Sequence, residues 1–251
     1  MARIFRNMRS GLLTEGRFTR YLIYAIGEIL LVVIGILIAL GINNANEVRK
    51  LRAFEVKMLH EVRNGLMRDT LLIQGLQTRL HVVDTSTRVL LDHAEGRPGA
   101  RPTIDHVNGM LTGVLLHFHT GPYEAIKAAG LDRISNDELR TALMDVYDFS
   151  MPRALDMVHK ESILFEDQRK ALVGDMLEIV LVDNGPTPLQ EHYEPRHEGL
   201  MDDPRLATLA RYRRIEASRA SFRLKLVDTG IQRLLERLDK ELGREAGPAG
   251  R

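Results

Sequence analysis

The chain has neither cysteine nor tryptophan among its 251 residues. Without thiols it can form no disulfide, use no thiolate nucleophile and build no cysteine metal site. Its 35 basic and 34 acidic residues leave a net charge of only +1, so charge gives no argument for nucleic acid or an acidic partner. Low-complexity tracts and internal repeats are also missing. So are a Ser-His-Asp order, a glycine-rich phosphate loop and a recognisable acid pair. Scarce aromatics beside abundant Leu, Arg, Glu and Ala point to helices.

What is present begins with Tyr21 to Ile42, YLIYAIGEILLVVIGILIALGI, apolar throughout except for Glu28. As a helix rising ~1.5 Å per residue it would reach ~33 Å, enough for a hydrocarbon core of ~30 Å. Tyr21 and Tyr24 stand where interfacial aromatics belong. The run is longer than the usual ~7–15 residue core of a signal peptide and contains an acid, so an uncleaved signal anchor is expected. Arg3, Arg6, Arg9, Arg17 and Arg20 face one acid, Glu15, before the span, and no basic residue follows until Arg49. This bias puts the N-terminus in the cytoplasm and the bulk outside, in a two-membrane bacterium the periplasm. The expected localisation is therefore the bacterial inner (plasma) membrane, single-pass.

The stretch YAIGEILLVVIGILIALGINNANE (Tyr24 to Glu47) resembles the N-terminal signature of a bacterial membrane-protein family, domain of unknown function 6090. YEAIKAAGLDRISNDELRTAL (Tyr123 to Leu143) resembles that family's downstream motif, and KLVDTGIQRLLERLDKEL is compatible with its C-terminal helix. Gly41 stands where the family usually has Gln, and Ala45 where it usually has Trp. The resemblance implies one membrane anchor, a large helical extracytoplasmic part and no assigned reaction.

The rest of the chain reads as helices. Leu51, Phe54, Met58, Val62, Leu66, Asp69, Ile73, Leu76, Leu80, Val83, Thr87 and Leu90 are spaced by three and four residues, predicting one long amphipathic helix to Glu95. Gly96 to Pro102 ends it. Thr103 starts a short helix through Leu116, and Gly121-Pro122 opens another that stops at Gly130. Ser135 and Glu138 read as a capping box. From Pro152 a seven-residue pattern predicts a helix through Ile179, closing at Asp183–Pro186; Pro186 to Asp202 reads as a loop. The last helix starts at Pro204 with a seam of Leu206, Ala210, Ala217, Ala220, Leu224, Val227, Ile231, Leu234 and Leu238. The predicted organisation is a basic cytoplasmic tail (1–20), a transmembrane helix (21–42), an extracytoplasmic helical domain (43–245) and a disordered tail (246–251). The predicted fold is all-α, with the transmembrane helix continuing into an antiparallel helical bundle.

Few residues suggest chemistry. Glu28 is the only ionisable group in the span, and an intramembrane acid costs ~2.5–3.5 kcal/mol near mid-bilayer, so it often has a partner or a role. The bland alternative is protonation or access to water. Gly27, Gly35 and Ala39 share a helix face on which another helix could pack closely, or they face lipid. His117-Phe118-His119 invites a metal reading, but no Cys or HExxH pattern supports it. Arg211, Arg213 and Arg214 read as a solvated helix face. On the Tyr123–Leu143 segment, Tyr123, Ile126, Leu131, Ile134 and Leu139 are expected to pack inward. Lys127, Arg133, Asn136 and Arg140 then form a possible partner surface, against a purely structural corner. No catalytic residue, metal or cofactor is expected.

The functional expectation is a membrane-anchored binding module, sensor-like or a scaffold or accessory subunit. Its partners would be the lipid bilayer and a membrane or periplasmic protein, possibly a second copy, with no nucleic acid and an unspecified small-molecule ligand. A short N-terminal tail means that signalling would need a membrane partner. The alternative is an extracytoplasmic hydrolase or ligand-transforming enzyme with a site near 123–143.

Overall fold

Apolar residues at helical spacing need a surface to bury against, and the two halves of the first helix meet this need differently. We describe a computed structural model covering residues 17–163, 165–183, 185 and 190–246. The expected tail 1–20 lies outside these residues except for 17–20, the expected tail 246–251 except for Ala246, and the expected loop from Pro186 over 186–189. Helix α1 is one element, Arg17–Ala94. The chain divides into two compact units, Met1–Glu55 and Val56–Arg251. In the first, the side chains from Leu22 to Ile42 are exposed apart from the half-buried Ala25. Among the described residues, α1 is the one helix long and apolar enough to cross a membrane.

The second unit buries the rest of the α1 stripe. Val62, Leu66, Asp69, Ile73, Val83 and Thr87 are fully inaccessible, and Leu76, Leu80 and Leu90 nearly so. Full burial of one such aliphatic side chain stabilises by ~1.5–3 kcal/mol. Gly96, at φ 65°, ends α1 by turning left-handed, and Arg97 N–H returns to the Asp92 carbonyl at 2.8 Å, satisfying an end carbonyl.

Helix α2 is Ile104–Leu111, shorter than the predicted run through Leu116. Arg213 explains the stop: its Nε donates to Met110 O at 3.0 Å and its Nη2 to Thr112 O at 2.8 Å, so a side chain from a distant helix takes the end carbonyls. Helix α3 is Gly121–Ala129 with proline in its first turn, and Gly130 at φ 108° ends it. A short 3-10 turn, Leu131–Arg133, follows.

Helix α4, Asp137–Met144, begins one residue later than the capping-box expectation. Its cap is Asn136, whose side-chain oxygen accepts from Leu139 N–H at 3.1 Å. A π-helical segment, Asp145–Ser150, joins α4 to α5, Met151–Ile163. Pro152 gives the physical reason. It lacks the N–H that would bond four residues back, and the chain widens there so that Met151 N–H reaches Val146 O.

The all-α expectation needs correcting. The helix expected through Ile179 gives way to α6, Glu166–Met176, and an antiparallel hairpin of β1, Leu177–Val182, with β2, Gln190–Pro195. The run Ile179-Val180-Leu181-Val182 suits an extended backbone because β-branched side chains lose less freedom there. Asn108 on α2 fixes the hairpin edge: its Nδ2 donates to Tyr193 O at 3.0 Å and its Oδ1 accepts from Tyr193 N–H at 2.8 Å. The described residues are still 81% helical. After a 3-10 turn at Leu200–Asp202, α7 runs Pro204–Ala246. Every residue of its predicted seam is buried. The hairpin base, the end of α1, α2 and the start of α7 share one cluster built on Leu90, Val107, Met110, Met176, Leu177, Leu206 and Leu209.

Candidate functional site

Within the first unit, Gly27, Glu28, Gly35 and Ala39 are all exposed on α1. A side chain built at Gly27 or Gly35 would meet nothing within 4 Å.

The Tyr123–Leu143 corner is built from the inside out. Tyr123, Ile126, Ile134 and Leu139 are buried, as expected, whereas Leu131 is only half-buried. Tyr123 stacks on Tyr147, ring centroids 4.6 Å apart, and its hydroxyl donates to Asp148 at 2.6 Å. The other Asp148 oxygen receives Lys127 Nζ at 2.8 Å. These bonds from Lys127 and then Tyr123 hold the Asp148 carboxyl below its ordinary range. Burial, reinforced by the Asp148 bond, pushes the Tyr123 phenol up. Burial is also the main cause for Tyr147, whose hydroxyl is the one buried side-chain polar atom without a partner among the described residues.

At least three of the four candidate partner residues turn back into the protein. Besides Lys127, Asn136 Nδ2 donates to Glu241 at 2.8 Å, and Arg140 reaches Asp137 at 2.7 Å and Ile134 O at 3.2 Å. Arg133 is exposed. A depression beside Asn136 and Glu241 measures about 200 Å³, smaller than the ~300–1,000 Å³ of ordinary small-molecule sites.

His117 and His119 lie on the irregular stretch between α2 and α3, with ring centroids 6.1 Å apart. His119 serves Asp69, the one acid in the α1 stripe. Its Nδ1 stands 2.6 Å from Asp69 Oδ1, and its backbone N–H donates to the same oxygen at 3.0 Å. The fully buried carboxylate is thus solvated by one residue of the passing chain. Among the described residues, no group of three His, Asp or Glu could hold a metal ion.

A second assembly, which the sequence reading missed, surrounds Glu216. This carboxylate is 4% exposed and is shared by two guanidiniums. Arg213 Nη1 donates to it at 2.5 Å, and Arg169 Nη1 to its two oxygens at 3.3 and 3.2 Å. Arg213 therefore belongs to no solvated face. Burial lowers its pKa, against the upward pull of Glu216, and a guanidinium stays charged regardless. Arg211 and Arg214 are more open, 3.7 Å from Glu95 and 3.4 Å from Asp84.

Beside this assembly lies a cleft of about 510 Å³ between α6, the hairpin and the chain after α2. Its charged lining residues among those described are Arg169, Lys170 and Arg213, all cations, alongside the apolar Leu111, Val114, Val173 and Ile179. By contrast, a cleft of about 480 Å³ between α1 and α7 is lined by Asp84 as well as Lys225.

The model of a family of unknown function (DUF6090) matches residues 28–90. The match covers about a quarter of the chain, from Glu28 through the buried stripe of α1, and supports the resemblance read from the sequence over that part. No curated protein and no solved structure matches the chain.

Proposed function

We propose that this protein is a membrane-anchored binding module: a single α-helical anchor carrying an extracytoplasmic, mostly helical domain that takes a ligand or partner. The observation that carries the reading is the uncovered apolar surface from Leu22 to Ile42. In water, a contiguous apolar surface of that extent needs a lipid or protein cover. The helix exposes it on all sides, as lipid contact requires, whereas a docking helix would be apolar along one stripe. Arginines before the span and none between Tyr21 and Arg49 favour a cytoplasmic N-terminus, which in a two-membrane bacterium puts the domain in the periplasm. Long α1 and α7, both with continuous buried seams, suit an antiparallel bundle, with the hairpin as an added flap. The small residues Gly27, Gly35 and Ala39 would let a second copy or another membrane helix approach, with Glu28 as a polar contact.

Tyr123, Lys127 and Asp148 are spent on one another and the Tyr147 hydroxyl is buried, so binding is better supported than catalysis. Alkaline phosphatase fused after Gly247 should be active in a bacterial host, and a fusion replacing the segment before Tyr21 inactive. The protein should stay in the membrane pellet after alkaline carbonate. Extraction into the supernatant, or activity only in the N-terminal fusion, sinks the reading. In-membrane crosslinking with mass spectrometry then identifies the protein partner.

A further inference from the structure

We infer that the cleft between α6 and the hairpin binds an amphiphilic anion: one carboxylate or phosphate monoester head on an apolar body. The proposal rests on the binding-module reading and supplies its ligand class.

Charge comes first. Arg169 and Arg213 share the single carboxylate of Glu216, which leaves one positive charge uncompensated beside a part-buried surface. Lys170, on the same helix as Arg169, is paired at 2.5 Å with Glu166. Glu161 is paired with Arg219 at 2.9 Å, and Glu191, which accepts from the Tyr193 hydroxyl at 3.1 Å, is not among the residues lining the cleft. A cation only partly compensated and held away from water is costly, and a bound anion lowers that cost.

Preorganisation comes second. Arg213 is only 11% exposed and is tied to Met110 O, Thr112 O and Glu216, so its position does not depend on a ligand. Arg169 uses Nη1 alone for Glu216. A guanidinium also carries N–H donors on Nε and Nη2, in the fork geometry that matches a carboxylate or phosphate oxygen pair. Holding these donors before the ligand arrives reduces the ordering cost of binding.

Shape comes third. Leu111, Val114, Val173 and Ile179 line the same cleft as the cations. A volume of about 510 Å³ lies within the ~300–1,000 Å³ of small-molecule sites, so the cleft has room for more than a bare anion. Ile179, 53% exposed on the hairpin, is an apolar surface that such a ligand would cover.

The test is calorimetric titration of the full chain in nanodiscs, with empty discs as reference. The probes are octanoate, octyl phosphate, octanol and inorganic phosphate. Octanoate, octyl phosphate or both should bind at one site per chain, and which of them binds identifies the head. Octanol and inorganic phosphate should each bind at least tenfold more weakly, because each lacks half of the recognition. Ile179→Asp puts a charge on the exposed apolar lining that the ligand body would cover, and Lys170→Gln removes a cation from a solvated position. Both variants should melt as the parent does; Ile179→Asp should weaken the bound probe at least tenfold, and Lys170→Gln, whose cation is shared with Glu166, by a smaller factor. The inference is overturned by absence of saturable binding of both amphiphiles, by equal binding of octanol or inorganic phosphate, or by parental affinity in both variants. Those outcomes leave membrane insertion untouched, and failure of the fusion and carbonate experiments leaves this titration untouched.

Discussion

Replacing Glu216 with alanine tests the buried charge assembly most directly. The carboxylate is 4% exposed, Arg213 is 11% and Arg169 22% exposed, so none of the three can regain full hydration without the fold opening. Removing one partner of a buried pair costs ~3–5 kcal/mol, because the remaining charge stays buried without its counterion. The loss is a large part of the ~5–15 kcal/mol by which a domain is stable. At ~2–4 °C per kcal/mol for a domain of this size, the melting temperature should fall by roughly 6–20 °C. Far-ultraviolet circular dichroism of the full chain in detergent measures it. Glu216→Gln keeps the shape and one acceptor and should fall between parent and alanine variant. Arg213→Met combined with Glu216→Ala should cost less than the two changes summed, since the double variant leaves fewer uncompensated groups. A Glu216→Ala protein melting within ~2 °C of the parent would place the interaction below ~1 kcal/mol, and the argument for a costly buried cation would fail.

Asn136→Ala should cost ~0.5–2 kcal/mol by removing the α4 cap, read by thermal melting; a larger loss from Ser135→Ala would return the cap to Ser135. Asp148 titrates below its ordinary 3.8 in the folded protein. Its contribution is therefore present above the unfolded value and lost as pH falls through the folded one. The stability gap between parent and Asp148→Asn should be full near neutrality and close below about pH 4; a gap that widens in acid contradicts the assignment. Gly35→Leu should weaken association in a membrane two-hybrid assay if α1 packs through its small residues, and unchanged signal returns Gly27, Gly35 and Ala39 to lipid contact. Glu28→Gln keeps hydrogen bonding but removes the charge, so an unaltered signal rules out a charge-dependent role for that acid.

The sequence by itself determined the two long helices and their buried faces. Steps of three and four residues from Met58 to Leu90, and from Leu206 to Leu238 with one step of seven after Ala210, are local properties of the chain, and a helix with such a stripe has one way to bury it. The unbroken apolar run after Tyr21 was legible for the same reason. Part of the candidate site was legible too. Asp69 stands in the apolar stripe of α1, so a carboxylate had to be buried there, although its partner, His119, comes from a distant loop. Arg213 occupies the gap in the α7 seam between Ala210 and Ala217. Spacing alone would have put it inward, but a charge is inward only if other elements supply Glu216, Met110 O and Thr112 O.

Tertiary structure decided the rest. Residues Leu177 to Val182 fit a seven-residue helical pattern and a strand about equally. They became a strand because β2 lies alongside, with Asn108 holding the Tyr193 backbone. Pro152 was compatible with the start of a helix, but in the folded chain α4 and α5 run on into one another through the π-helical segment before it. The cationic cleft belongs wholly to this second group. Its residues come from α2, α6, the hairpin and α7, and their charges and apolar walls face one cavity only after long-range packing has brought them together.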